Sequence, residues 1–379
     1  MQDFLHSDFI KFIYAFGIGQ AILLSVLLIK KKINVVSNRF LSAIFILCGI
    51  ELISGVYYLG GYFENYPGFI GLTNGFAYLF GPMIYFYVYF LKPENKFNFR
   101  KIGIHFIPFV MAFLFYIIPV LDANNTEKLK FAEQLFAFNT PTKVLGFLAP
   151  FHSILYVVIT LLEIRKIVAN LKNNFSNVEF ANLYWLKYFF FGVLFQAAVV
   201  VILHVFEDSF SFDIKYIMLL SIAVFMILAG YISLKQPEVK SFILKNDDDS
   251  PAKKEYKKTA LKDEQIDELI EKVKTALEVD KLYLNPKLSL KELSDQTGIS
   301  THNLTELINT QMNLSFYDLI NNYRIEEIKK LIEDDTEKKY SLLALAYEAG
   351  FSSKTSFNTI FKKIVMMTPS EYRSKILNK

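Results

Sequence analysis

Ser289-Leu-Lys-Glu-Leu-Ser-Asp-Gln-Thr-Gly-Ile-Ser300 and Ser341-Leu-Leu-Ala-Leu-Ala-Tyr-Glu-Ala-Gly-Phe-Ser352 are two versions of one pattern, 52 residues apart. Ser289, Leu290, Leu293, Gly298 and Ser300 coincide with Ser341, Leu342, Leu345, Gly350 and Ser352, and each position has a mechanical reason. Ser289 predicts a helix N-cap, with Glu292 three residues later completing a capping box. Ser294 and Ala346 are small enough for a following helix to approach. Gly298 and Gly350 stand where the first helix must stop in a left-handed conformation. Ile299 and Phe351 plug the corner, and Ser300 and Ser352 are expected to cap a second helix. The repeated unit is a helix-turn-helix.

The second helices carry an apolar face at helical spacing, Leu304, Leu307 and Ile308 in one copy and Phe357, Ile360 and Phe361 in the other. The remaining positions are polar: His302, Asn303, Thr305, Glu306 and Asn309 in the first copy, and Lys354, Thr355, Ser356, Asn358, Thr359, Lys362 and Lys363 in the second. Early outward positions of such a helix reach base edges in a major groove, where Asn, Thr and Lys exchange hydrogen bonds with them. These twelve residues are the candidate DNA-binding set. A solvated face of a plain bundle is the bland alternative, which the duplication disfavours. Glu306 would repel phosphate, and either accepts from cytosine N4 or faces solvent.

Residues of about 265–377 resemble the DNA-binding domain of the AraC/XylS family of bacterial transcription regulators. The resemblance rests on Ala346-Tyr-Glu-Ala-Gly-Phe-Ser-Ser-Lys-Thr-Ser-Phe-Asn-Thr-Ile-Phe-Lys-Lys363 and on Thr368-Pro-Ser-Glu-Tyr-Arg373. It implies a seven-helix unit whose two helix-turn-helix motifs are joined by a long helix, here about Phe316 to Glu333, with Arg324 structural. The chain departs from the family at Asn313 and Met366, where glycine is frequent. Asn tolerates a left-handed conformation and Met does so poorly. Many relatives join this domain to a soluble ligand-binding barrel.

Here the partner region is of another kind. Residues 1–234 carry 30 charged side chains, 17 basic and 13 acidic, whereas residues 235–379 carry 24 of each sign in 145 positions. The first part is poorer in charge than an ordinary globular domain and the second richer. Apolar stretches near 9–29, 40–59, 68–91, 102–121, 143–164, 184–206 and 214–234 each approach the length needed to cross ~30 Å of hydrocarbon. Lys30, Lys31, Lys32 and Arg39, then Lys92, Lys96, Arg100 and Lys101, then Arg165, Lys166 and Lys172 fall in alternate connections. By the positive-inside rule those connections are cytoplasmic, the N-terminus is outside and the C-terminus inside. The first apolar stretch reads as retained rather than as a signal peptide.

The predicted fold class is therefore all-α: a seven-helix transmembrane bundle (1–234), a flexible charged linker (235–261), and a cytoplasmic AraC-type domain with two helix-turn-helix motifs (262–379). Ionisable groups within the spans are functional candidates. Glu51 and His152 are the deepest and form the candidate intramembrane signal site, while His105 and His204 lie near span ends. No HExxH or GxSxG pattern occurs, Gly17 and Gly19 lack the rest of a dinucleotide fingerprint, and the lone Cys48 excludes disulfides and CxxC metal sites. No catalytic residue, metal or cofactor is expected.

The balanced charge of 235–379 conceals a basic end, in which Lys354, Lys362, Lys363, Arg373, Lys375 and Lys379 face only Glu371. That end is expected to supply most phosphate contacts. The expected function is a membrane-anchored, sequence-specific DNA-binding transcription regulator, sensing a signal through its spans. It would sit multi-pass in the bacterial cytoplasmic (inner) membrane, with double-stranded DNA, the lipid bilayer, a small-molecule or membrane signal and a second copy as partners. The alternative is a seven-span receptor or transporter whose C-terminal helices bind a protein partner. A variant of the first reading keeps the spans as a passive anchor, with cleavage within 240–258 releasing the regulator.

Overall fold

The structure is a computed structural model that describes residues 8–92, 95–136, 140–178, 184–205, 215–234, 263–335 and 337–377. Among these residues every regular element is a helix or helical turn, apart from one isolated bridge between Phe175 and Ser289. The chain divides into a first unit of Met1–Ile164 with Asn182–Leu244, and a second of Arg165–Ala181 with Lys245–Lys379. The expected linker at 235–261 lies outside the described residues, as does the expected cleavage stretch within it.

In the first unit the main helices are α1 (Asp8–Lys30), α2 (Val35–Leu59), α3 (Ala77–Tyr89), α4 (Ile107–Leu121), α5 (Asn125–Phe136), α6 (Thr140–Asn174, leaving the unit after Ile164), α7 (Tyr184–Val205) and α8 (Lys215–Leu234). Among the described residues four stretches are long and apolar enough to cross a membrane: Lys11–Lys30, Val35–Leu59, Phe99–Leu121 and Val144–Asn174. Phe189–Ile202 and Leu219–Gly230 are shorter apolar helices. The third expected span differs from its sequence reading. Of residues 68–91, only Ala77–Tyr89 forms a regular α-helix, following a 3-10 turn at Pro67–Phe69. Gly71 explains the break, since it takes φ 82° and a Cβ there would stand 2.8 Å from the Tyr116 carbonyl oxygen. Thirteen helical residues rise only about 20 Å, short of the ~30 Å hydrocarbon thickness.

Large apolar side chains cover the outside of this unit. Phe12, Ile22, Met111, Leu121, Leu155 and Phe195 are all more than half exposed, whereas soluble domains rarely expose contiguous apolar patches of such extent. Two buried serines inside it are satisfied by helix carbonyls. Ser25 Oγ donates to the Ala21 carbonyl (2.6 Å) and Ser42 Oγ to the Ser25 carbonyl (3.1 Å), tying α1 to α2.

The second unit contains α9 (Asp263–Glu278), α10 (Leu290–Thr297), α11 (Thr301–Glu306, continued by a π-turn over Leu307–Gln311), α12 (Phe316–Asp334), α13 (Leu342–Glu348), α14 (Lys354–Val365) and α15 (Pro369–Leu377). It has two cores. Leu277, Leu293, Leu304, Leu307 and Ile308 pack with Phe316 and Ile320, while Phe351, Phe357, Ile360 and Phe361 pack with Ile325, Ile328 and Ile332. One helix, α12, therefore feeds both cores and fixes one to the other. Its observed span agrees with the expected joining helix.

Candidate functional site

Each helix-turn-helix is built by its caps and its turn. Ser289 Oγ accepts from the Glu292 amide (3.2 Å) while Glu292 Oε2 accepts from the Ser289 amide (2.7 Å), so the capping box closes. Gly298 adopts φ 69° and Gly350 φ 89°. Ile299 and Phe351 are buried in the corners. Ser300 caps α11 by accepting from the Asn303 amide. In the second motif the cap is Ser353, which accepts from the Ser356 amide (3.1 Å), and not the expected Ser352. Here the helix starts one residue later relative to the repeat, and Ser352 bonds elsewhere.

The apolar faces turn inward as expected, which leaves the polar ones outside. In α14, Lys354, Thr355, Asn358, Thr359, Lys362 and Lys363 are exposed, and Ser356 is half-buried through its place at the cap. Thr355, Asn358, Thr359 and Lys362 share one stripe, at the three- and four-residue spacing of a helix face. In α11 and its continuation, His302 and Asn309 are exposed, while Asn303, Thr305 and Glu306 are half-buried. Thr305 spends its hydroxyl proton on the Thr301 carbonyl (2.7 Å), and Glu306 lies 3.9 Å from His302 Nδ1. Hence the second motif offers more free donors than the first.

Two cations of the basic end are committed internally. Lys363 Nζ pairs with Asp318 of α12 at 3.1 Å. Arg373 does not join the outward basic patch: its guanidinium pairs with buried Asp335 and donates to the Tyr340 carbonyl (2.9 Å). Asp335 also accepts from the Lys339 and Tyr340 amides. The last helix starts as its sequence predicts, with Pro369 at its first position and Glu371 Oε2 accepting from the Thr368 amide at 2.7 Å.

Arg324, expected to be structural, is held by partners that were invisible in the sequence. Arg324 is 2% exposed and donates from Nε to the Tyr283 carbonyl (2.8 Å) and from Nη2 to the Asn285 carbonyl (2.7 Å). The same guanidinium reaches Ser176, at its carbonyl (3.3 Å) and its Oγ (3.2 Å). Burial lowers the Arg324 pKa to about 10, so it stays charged at neutral pH. The Ser176 amide and hydroxyl both donate to the Leu288 carbonyl, directly before the first motif. Asn177 Nδ2 donates to Ser352 Oγ, directly before the cap of α14. Lys172 lies 5.3 Å over the Tyr317 ring. Residues 172–177 thus touch the entrance to both motifs and the helix between them. No periodicity marks this segment; its only local signal is the turn-forming run Asn173-Asn174-Phe175-Ser176-Asn177.

In the first unit, the two candidate signal residues stand in different surroundings. Glu51 lines a cavity of about 360 Å³. His152 is not among its lining residues and packs its ring on Tyr78 and Tyr156, at 5.2 and 4.9 Å between centroids. Both His152 ring nitrogens are buried without a hydrogen-bond partner among the described residues. His105 Nδ1 lies 2.7 Å from the Tyr156 hydroxyl, and the His204 side chain falls outside the described residues. Among the described residues no cluster of His, Cys, Asp and Glu has the geometry to hold a metal ion.

Comparison with known proteins agrees with this geometry. Residues 293–375, from α10 into α15, match a family model described as a helix-turn-helix domain. An uncharacterized HTH-type transcriptional regulator of Staphylococcus aureus (strain COL) is 32% identical over 103 residues, which are 27% of this chain and 13% of the relative. A probable transcriptional regulator of Photobacterium leiognathi, LumQ, is 29% identical over 91 residues, 24% of this chain and 36% of the relative. The chain therefore spans only a minor share of the curated relatives it matches. No solved structure matches it. The C-terminal part of the chain carries a helix-turn-helix domain.

Proposed function

We propose that the chain is a membrane-anchored, sequence-specific DNA-binding transcription regulator that senses a signal through its first unit. The observation that carries the reading is the pair of helix-turn-helix modules on one helix, α12, each presenting an exposed polar face on its second helix. Such modules read successive major-groove segments about 10 bp apart. Lys354 and Lys362 contact phosphate or guanine in this reading, and Thr355, Asn358 and Thr359 reach base edges. His302, Asn303, Thr305, Glu306 and Asn309 form the weaker, first reader, and Ser356 and Lys363 complete the second, Lys363 from its exposed pair with Asp318. A helix-turn-helix relative named as a transcriptional regulator supports the same conclusion.

Membrane anchoring is supported by the apolar exterior of the first unit and by the four long apolar helices. The basic connections favour a C-terminus in the cytoplasm, where DNA is, beneath a bacterial inner membrane. Helix α6 runs unbroken to Asn174, and the residues that follow it bind Arg324. This covalent route is the proposed path from signal to DNA. Two protomers in one membrane would raise the effective concentration of paired DNA-binding units.

The test is selection from random duplex DNA by the full-length chain in detergent, at two salt concentrations, beside a Lys354→Ala/Thr355→Ala/Thr359→Ala variant. A bipartite motif with a spacing of about one helical turn, weakened in the variant and by salt, is the expected result. Binding without any enriched motif, indifferent to the variant, would sink this reading and favour a receptor or transporter with a protein-binding tail.

A further inference from the structure

The cavity of the first unit is chemically lopsided. It is bordered by α2, α3, α4, α6, α7 and α8, and measures about 360 Å³, within the ~300–1,000 Å³ of small-molecule sites. Most of its wall is apolar, with Phe80, Phe189 and Phe225 among the lining residues. Its one acidic side chain among the described residues, Glu51, stands on α2 beside the turn before α3, and Ser153 of α6 and Gln196 of α7 are the polar groups of the opposite walls. Glu51 and Ser54 are three residues apart on one helix face, Ser54 Oγ accepts from Thr73 Oγ1 (2.9 Å), and Asn74 follows. No Lys, Arg or His lines the cavity among the described residues.

A carboxylate in an apolar cavity is expensive unless a cation or donor answers it. The lining supplies hydroxyls, of which Thr73 bonds Glu51, and the amides of Asn74 and Gln196, but no positive charge. An anionic ligand would meet repulsion from Glu51 and nothing to neutralise it. A wholly apolar ligand would leave the carboxylate without a counter-charge. Resting on the reading of this unit as a membrane-embedded sensor, we infer that the cavity binds a small amphiphile with one apolar body and one cationic amine head, the amine pairing with Glu51.

The experiment is equilibrium dialysis of radiolabelled decylamine, 1-decanol and decanoate against the full-length chain in nanodiscs, with empty nanodiscs as the partition control. Saturable binding of decylamine at one site per chain, at least tenfold tighter than decanoate, is expected. Glu51→Gln should lose that preference for the amine. Ala77→Phe, which fills the cavity without touching the carboxylate, should lose saturable binding of decylamine and decanol alike; unchanged helicity and elution volume would show that each variant folds. Decylamine uptake equal to that of empty nanodiscs, or saturable uptake indifferent to both substitutions, would overturn the inference. The same preparations are assayed on selected DNA. Retained DNA binding without amine binding would remove the ligand site and leave the regulator; amine binding without any DNA binding would do the reverse.

Discussion

Arg324 and Ser176 are 148 residues apart in sequence, yet the guanidinium of the first donates to both the carbonyl and the hydroxyl oxygen of the second. The arginine sits in α12 at the point where that helix passes from one core to the other. Four of its five hydrogen bonds go to oxygens outside α12. A buried guanidinium tolerates few missing acceptors, because each unmet donor costs roughly 1–3 kcal/mol.

A fragment of residues 259–379 lacks Ser176, so it is expected to melt below the temperature reached with a peptide of residues 165–181 added. At a peptide concentration about 100 times its Kd the gain is about 2.7 kcal/mol. The measurement is a urea titration with and without peptide, with a Ser176→Ala peptide as control. An unchanged midpoint at millimolar peptide would mean that the Arg324 cage closes without this segment.

The two turn glycines should respond very differently to alanine. At Gly298 a Cβ meets nothing within 4 Å, so Gly298→Ala carries only the left-handed backbone penalty, about 1–2 kcal/mol. At Gly350 a Cβ would lie 2.5 Å from the Tyr283 carbonyl oxygen and 2.9 Å from Leu284 Cα. Gly350→Ala must therefore displace backbone and is expected to abolish cooperative folding of the second motif. Met366, exposed and at φ 61°, poses the reverse case, and Met366→Gly should stabilise by about 1 kcal/mol. Urea midpoints of the three variants test the order.

Asp335→Ala would strand the Arg373 guanidinium, whose partners are that carboxylate and the Tyr340 carbonyl. Breaking a buried pair from one side costs about 3–5 kcal/mol. An Asp335→Ala/Arg373→Met double variant should recover part of the loss. If the double variant is no more stable than the single one, the pair is not the cause.

Stability of the second unit should fall at both ends of the pH scale. Burial pushes Asp318 and Glu327 upward, but hydrogen bonds from Ser315 and Lys363, and from Lys281 and Tyr283, outweigh it and hold both below their ordinary values. Hydrogen bonds from Thr368 do the same for Glu371. Stability from these carboxylates is present above about pH 4, the unfolded value, and is lost as pH falls through the folded ones. Tyr323 and Tyr372 are raised to about 12, by burial and by Glu278 and Glu333. Their contribution is complete below about pH 10 and disappears as pH rises through the folded values. Urea midpoints from pH 2.5 to 11.5 should trace a plateau with two falling limbs.

Much of the helix-turn-helix architecture was legible because its signals are local. A capping serine, a left-handed glycine and a three-four apolar spacing act within a few residues, so Ser289, Gly298, Gly350 and the faces of α11 and α14 could be read directly. The apolar stretches likewise stand out through composition alone. The one-residue offset between Ser352 and Ser353 was not legible, since either serine can cap and the choice follows from where Phe357 and Phe361 must pack. Gly71 broke the 68–91 stretch because a carbonyl from α4 approaches it, a contact between segments distant in the chain.

The sequence by itself determined that the chain is helical throughout its described elements, that an apolar region precedes a charged one, and that the latter holds two copies of a helix-turn-helix. Only the tertiary structure decided that Arg373 turns inward, that Glu51 lines a cavity while His152 does not, and that Ser176 completes the cage of Arg324. The division has a physical cause. Caps, turns and periodicity depend on neighbours along the backbone, whereas a buried charge takes its partner from whichever segment packing brings within ~3 Å, and nothing in residues 172–177 names that partner.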